Sequence, residues 1–112
     1  IYLRGIYEIQ MEDSFAQPLG NLHMGALYGR ITPSQKAEKP AGEWQTVDIL
    51  LVDRHVSVTL NGVKIIDNQP CLGVTGGAMS NDESKPGPIY LQGDHTNVSY
   101  RNMVITPVVG RK

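Results

Sequence analysis

The sequence predicts an all-β fold, an antiparallel β-sandwich formed by a single domain over residues 1–112. Three observations favour this fold. Twelve glycines and seven prolines interrupt the chain, no window shows the 3.6-residue hydrophobic period of a helix, and several segments alternate apolar and polar residues as strands do. Six or seven short strands without a helix are typical of an antiparallel sandwich.

The chain opens inside a strand pattern, IYLRGIYEIQ, and the first clear alternation is YEIQME at positions 7–12. Its odd-numbered positions are apolar and its even-numbered positions are polar, which predicts one buried and one solvated face. The run HVSVTLNGVKIIDN (55–68) predicts a hairpin, because Asn61 and Gly62 suit a type I′ turn. We expect further strands near 22–31, 44–53, 88–92 and 98–106, and long loops, which often carry function, at 32–42 and 67–87.

Composition excludes several classes of protein. A formal charge of −1 gives no basic face for nucleic acid or for an anionic membrane, so neither partner is expected. No apolar run approaches the roughly 18 residues of a membrane-spanning helix. Cys71 is the single cysteine, and His23 and His55 lack a histidine partner two or four residues away, so a zinc site has little support.

Five motifs lie in order along the chain: KPAGEWQTVDI (39–49), VTLNGVKIIDN (58–68), TGGAM (75–79), PGPIYLQGD (86–94) and YRNMVITP (100–107). In their sequence and order they resemble the 3-keto-disaccharide hydrolase family, and the opening YLRGIYEIQMEDS resembles that family's Y-E-x-Q strand. The family has been catalogued as a domain of unknown function to which glycosyl hydrolase activity is ascribed. The resemblance covers nearly the whole chain. It implies a concanavalin A-like jelly roll, action on oxidised glycosides and a periplasmic or secreted location.

Domains of that family usually have further strands before the Y-E-x-Q strand, so this chain resembles the C-terminal part of the domain. A jelly roll needs two sheets packed face to face. We therefore expect a homo-oligomer, a dimer or larger, in which a second copy supplies the missing layer through an interface of about 2,000 Å² or more. A self-sufficient smaller sandwich and a partner chain that carries the missing half are the alternatives.

The implied substrate determines which residue types the site needs. A 3-keto sugar has an acidified hydrogen at C2, so one base and a few hydrogen-bond donors can drive elimination of the aglycone followed by hydration. His95 is the candidate base, because histidine exchanges protons near neutral pH. Glu8 is the second candidate catalytic group. Candidate substrate-binding residues are Gln10, Gln92 and Arg101 for sugar oxygens, and Tyr28 and Trp44 for the sugar ring.

Each candidate also has a purely structural interpretation. His95 fits a solvated loop histidine, and Glu8 fits the wet face of an amphipathic strand together with Gln10. Trp44 fits a core anchor, and Arg101 fits an ion pair with an acidic neighbour. The catalytic interpretation predicts that Glu8, Gln10, Gln92, His95 and Arg101 line one cleft, and it requires a bulge near Asn102 to turn Arg101 out of the strand alternation.

Two other functions fit the same sequence. Glu8 and Glu12 share a strand face, as the acids of retaining jelly-roll glucanases do, although their spacing is long for double displacement. A polar concave face could also bind carbohydrate without cleaving it, as a lectin-like module. No cofactor is expected. Calcium held by loop carboxylates and carbonyls, with Asp94 among them, is left open without a supporting loop motif.

Overall fold

The computed structural model describes residues 1–71, 73, 75, 87–91 and 98–106. This part of the chain is all β: it holds two small antiparallel sheets and no helix, and therefore no helix that could cross a membrane. The predicted all-β class is confirmed, whereas the jelly-roll topology stays a prediction. The strands are β1 (Tyr2–Leu3), β2 (Tyr7–Glu8), β3 (Val47–Val52), β4 (His55–Leu60) and β5 (Val63–Pro70).

The larger sheet is a meander in the order β3-β4-β5. Asn61 and Gly62 connect β4 to β5 with φ values of 51° and 83°, which confirms the predicted type I′ turn. Asp53 and Arg54 make the equivalent turn between β3 and β4 with φ values of 48° and 61°. The sequence analysis missed this second turn because Arg54 stands where a glycine would have signalled it.

The smaller sheet is a tight hairpin of β1 and β2. Its turn residues, Arg4 and Gly5, have φ values of 54° and 69°, and the Ile6 amide donates to the Leu3 carbonyl at 3.1 Å. The opening segment is therefore two strands rather than one. Tyr2 continues the sheet on its other edge, where it exchanges two backbone hydrogen bonds with Tyr90, at 2.7 and 3.0 Å.

The predicted strand over 22–31 is wrong. The backbone after β2 does run antiparallel to it, since the Gln10 amide donates to the Ala26 carbonyl at 3.0 Å and the Gly25 amide to the Gln10 carbonyl at 2.8 Å. Only isolated bridges form, however, from Ile9 to Leu27 and from Leu27 to Ile31. Gly25, with φ of 83°, turns the chain before a ladder can extend.

The C-terminal segments also differ from the predictions. Within the described residues 88–91 only Tyr90 forms an isolated bridge, and 98–106 contains no strand. The predicted loop over 67–87 does not begin at residue 67, because β5 continues to Pro70. The expected loop over 32–42 is confirmed as irregular structure.

One hydrophobic cluster joins the two sheets. The inward alternation of β4 is confirmed, because Val56, Val58 and Leu60 are buried. They share this cluster with the first hairpin, whose Tyr7 and Ile9 have no exposed surface. The other buried members are Leu3, Ile6, Leu27, Ile65, Ile66 and Cys71.

Candidate functional site

Glu8 is a buried carboxylate at the end of β2, with 5% of its surface exposed. The hairpin register places it directly opposite Tyr2, so the two side chains lie on the same face of the sheet. The Tyr2 hydroxyl donates to Oε1 of Glu8 at 3.2 Å. The interpretation of Glu8 as part of a solvated strand face is therefore wrong, because the chain after β2 folds over it.

The backbone of Glu8 is fixed from two sides. Its amide donates to Oγ1 of Thr75 at 2.8 Å, and its carbonyl accepts from the Tyr28 amide at 2.9 Å. Thr75 is itself held, since its amide donates to the Ile6 carbonyl at 3.0 Å. Sequence reasoning missed Thr75, although it opens the TGGAM motif. Three separate segments of the chain thus position one carboxylate.

Among the described residues, a hydrogen-bond donor contacts one oxygen of the Glu8 carboxylate. Oε1 accepts the Tyr2 hydrogen bond. No side-chain nitrogen or oxygen among the described residues is both buried and without a hydrogen bond. Oε2 is thus not cut off from both solvent and hydrogen-bond donors, although the residue as a whole is only 5% exposed.

Tyrosines surround this carboxylate. The pKa of Tyr2 is raised to about 12, mainly by burial and then, in decreasing order, by the Glu8 charge, the hydrogen bond to Glu8, Tyr90 and Tyr28. The phenol of Tyr2 is therefore protonated at neutral pH and acts as a donor to Glu8. The Tyr90 ring packs against Tyr2 with centroids 5.4 Å apart and planes tilted by 41°.

Gln10 and Glu12 follow Glu8 in sequence but have other partners. Nε2 of Gln10 donates to the Leu22 carbonyl at 3.2 Å. Oε2 of Glu12 lies 2.9 Å from Nδ1 of His23, in an exposed pair. Since β2 ends at Glu8, the two glutamates do not project from one regular strand as a glucanase-like acid pair would.

Arg101 and Trp44 form a second feature. The guanidinium carbon of Arg101 lies 3.8 Å from the centroid of the indole ring. Trp44 is 49% exposed, so its interpretation as a core anchor is wrong. Among the described residues, no acidic side chain forms an ion pair with Arg101. Asn102 has φ of 54°, so a left-handed residue, not a bulge within a strand, breaks the alternation there.

The predicted five-residue cleft is described only in part. His95 and Gln92, like the calcium candidate Asp94, lie outside the described residues. Tyr90, two residues before Gln92, is paired with Tyr2 and so runs beside the Glu8 hairpin. Within the described residues no hydrogen bond or ion pair joins Arg101 to Glu8. The convergence of these groups stays a prediction.

Potential metal-ligating side chains do not form a cluster among the described residues. Among residues 1–71, 73, 75, 87–91 and 98–106 no three His, Cys, Asp or Glu side chains are grouped to hold an ion. His23 contacts Glu12, and Nδ1 of His55 lies 3.0 Å from the carbonyl oxygen of Asp53. These two histidines therefore have separate local partners.

Comparison with known proteins identifies the family. A family model described as a 3-keto-alpha-glucoside-1,2-lyase-like domain matches residues 1–106. The chain belongs to this family. The resemblance drawn from the five sequence motifs is thus confirmed, and the 3-keto-alpha-glucoside-1,2-lyase-like domains are domains that process 3-keto sugars. No curated protein and no solved structure matches the chain at a significant level.

Proposed function

We propose that this protein cleaves 3-keto glycosides by abstracting the C2 proton, eliminating the aglycone and adding water. The observation that carries the proposal is the Glu8 carboxylate, buried and held at Oε1 by the Tyr2 hydroxyl, in a chain whose family processes 3-keto sugars. A carboxylate fixed in this way is preorganised to accept a proton or a hydroxyl hydrogen bond from a bound sugar.

The reaction balances without an oxidant or a cofactor. A base removes the C2 proton, and the electron pair forms an enolate with the C3 carbonyl. The enolate then expels the aglycone oxygen from C1, which leaves a C1–C2 double bond conjugated to the ketone. Water adds its hydroxyl to C1 while C2 regains a proton. The products are the free 3-keto sugar and the protonated aglycone.

Two residues, His95 and Glu8, are proposed to transfer the protons in these steps. His95 is the proposed base at C2 and returns that proton during hydration. Glu8 is proposed to give a proton to the departing aglycone oxygen and then to take one from the adding water through Oε2, which restores the group at the end of each turnover. Gln10 and Gln92 are proposed to bind sugar hydroxyls. Tyr28, whose amide already contacts Glu8, is proposed to lie against the sugar ring.

Turnover of a 3-keto glucoside compared with the unoxidised glucoside tests the function. We expect cleavage of the keto substrate only. Glu8→Gln keeps an acceptor for Tyr2 but loses the charge, and it should lower kcat by about 100-fold or more with a smaller change in KM. His95→Ala should behave likewise. Glu12→Gln, at an exposed position, is the matched control and should leave kcat within about twofold.

Three outcomes contradict the proposal. Cleavage of the unoxidised glucoside with loss of activity in both glutamate variants would favour the retaining glycosidase. Saturable sugar binding without turnover of either substrate would favour the lectin-like module. Unchanged kcat in Glu8→Gln would remove Glu8 from the mechanism.

A further inference from the structure

The Arg101 guanidinium stacks on the indole of Trp44. At 3.8 Å from the ring centroid, the guanidinium carbon is in van der Waals contact with the ring face. A guanidinium stacked on an aromatic ring keeps its N–H groups directed outwards, around the edge of its own plane. The stacking thus uses the face of the cation and leaves the hydrogen-bonding edge available.

This cation has no counter-ion in the described part of the chain. Arg101 is exposed and takes part in none of the ion pairs there, which join Glu12 to His23, Lys36 to Glu38 and Lys64 to Asp67. Among the described residues, no carboxylate therefore neutralises its guanidinium.

The indole beneath Arg101 has a fixed support. Asn61 binds the two residues that follow Trp44: its Oδ1 accepts from the Thr46 amide at 2.9 Å, and its Nδ2 donates to Oε1 of Gln45 at 3.0 Å. Asn61 is itself held in the type I′ turn between β4 and β5. The stacked pair is thus tied to the larger sheet, and less conformational entropy is lost when a ligand binds it.

We propose that Arg101, stacked on Trp44, is a binding subsite for a carboxylate carried by the sugar or by the aglycone of the substrate. The planar fork of arginine matches a carboxylate through two parallel N–H···O bonds, which a neutral hydroxyl cannot reproduce. Trp44 is then a positioning residue, because Arg101 covers the ring face on which a sugar would have stacked. Binding at this subsite stands by itself, whereas its role in substrate choice rests on the proposed function.

Trp44 is the only tryptophan in the chain, so intrinsic fluorescence reports on this pair directly. The sugar arm of the experiment compares D-glucuronate with D-glucose. The aglycone arm compares a glucoside that bears an aliphatic carboxylate with its alkyl counterpart. We expect a saturable fluorescence change and about tenfold or tighter binding for the carboxylate member of at least one arm. Inorganic phosphate should bind more weakly than that member.

Variants separate a bidentate site from general charge attraction. Arg101→Gln should abolish the preference for the carboxylate, and Arg101→Lys should lose most of it although the charge is kept. Arg54→Asn is the matched control, because it removes one exposed positive charge at a left-handed turn position that asparagine tolerates. It should leave the preference unchanged. Equal affinity for acidic and neutral ligands, or a full preference in Arg101→Gln, would overturn the subsite.

Kinetics separate this proposal from the proposed function. With keto glycosides as substrates, Arg101→Gln should lower kcat/KM for the carboxylate-bearing substrate by about tenfold, through KM, and leave the neutral one nearly unchanged. If no keto glycoside is turned over but the carboxylate preference in binding persists, the function fails and the subsite stands. If both substrates lose kcat alike, Arg101 acts in the chemistry and the subsite is wrong.

Discussion

The hydroxyl of Tyr2 and the carboxylate of Glu8 face each other across the first hairpin, joined by a hydrogen bond of 3.2 Å. Both side chains are buried. A buried carboxylate is tolerated only when its oxygens have hydrogen-bond donors or solvent. Tyr2 supplies the donor at Oε1, so the stability of the hairpin and the placement of the proposed catalytic carboxylate depend on the same contact.

Replacing Tyr2 by Phe should destabilise the protein by about 1–3 kcal/mol, because Oε1 of Glu8 loses its donor while it stays buried. Urea unfolding measures this. Tyr90→Phe is the control: it keeps the ring packed against Tyr2, and its free energy of unfolding should change by no more than about 0.5 kcal/mol. Equal losses in the two variants would mean that the Tyr2–Glu8 hydrogen bond contributes nothing specific.

Stability should fall as the pH rises above about 10. Burial and the Glu8 charge are the largest causes that raise the pKa of Tyr2 to about 12 from the ordinary value of 10.0. Between these values the unfolded chain loses the phenolic proton and the folded chain keeps it, so deprotonation favours unfolding. Thermal unfolding from pH 8 to pH 12 checks this expectation. Tyr2→Phe removes the group and should show a shallower fall; an identical slope in both proteins would contradict the assignment.

The fold could be predicted where local chemistry decides it. Asn61-Gly62 specified a hairpin because both residues accept positive φ at low cost, and the alternation of β4 matched its burial. The segment 22–31 could not be predicted, because it buries Ala26 and Leu27 through isolated bridges rather than a ladder of its own, while Leu22 stays 49% exposed. Arg4 and Arg54 adopt left-handed conformations that the tight hairpin turns require and their residue type does not signal.

The sequence could suggest candidate residues for the site, but it could not predict which residues they contact. The family motifs singled out Glu8 and Arg101, but alternation alone placed Glu8 in solvent. The residue is buried, and its backbone is held by Tyr28 and Thr75, which are distant in sequence. Stacking of Arg101 on Trp44 joins positions 57 residues apart in the sequence (101 − 44), and no periodicity encodes such a contact.

Asn61 should contribute more to the stability of the fold than an ordinary turn residue. Its side chain bonds Thr46, Gln45 and the Ala37 carbonyl, the last at 2.8 Å. Asn61→Gly keeps a residue suited to φ of 51° and removes these bonds, which should cost about 1–3 kcal/mol. Denaturant unfolding gives the value, and the emission of Trp44 should shift as its support loosens. Unaltered emission would show that Asn61 does not hold the Trp44 loop.

Gly87 should not tolerate a side chain. A β-carbon there would overlap the backbone carbonyl of Arg4, which cannot rotate away. Gly87→Ala should therefore cost about 3 kcal/mol or more, or break the nearby pairing of Tyr90 with Tyr2. Gly29→Ala is the comparison, since nothing lies within 4 Å of its added carbon and only its φ of 69° is strained; about 1 kcal/mol is expected. Similar losses of stability in Gly87→Ala and Gly29→Ala would contradict the close approach of Gly87 to the Arg4 carbonyl.

Self-association is the remaining expectation, and the exposed apolar side chains are its basis. β3 has no partner beyond β4 in the described sheet, so one backbone edge is free there, and Leu50 and Val52 on its outward face are 50% and 38% exposed. Segment 98–106 adds Met103, Val104 and Ile105, exposed by 51%, 85% and 69%. Unpaired edges beside apolar surface favour strand pairing with another copy, and two-fold symmetry would close the contact.

Sedimentation velocity at micromolar concentration should therefore give a dimer or a larger closed species, not the 12.3 kDa chain. Leu50→Lys adds a charge at the outward face of the edge strand and should shift the population towards monomer. Gln35→Lys adds the same charge in an exposed loop and should leave it unchanged. A single stable species of about 12 kDa in the unsubstituted protein would contradict self-association. It would show that the edge of β3 and the apolar residues beside it do not need to be covered by a second copy.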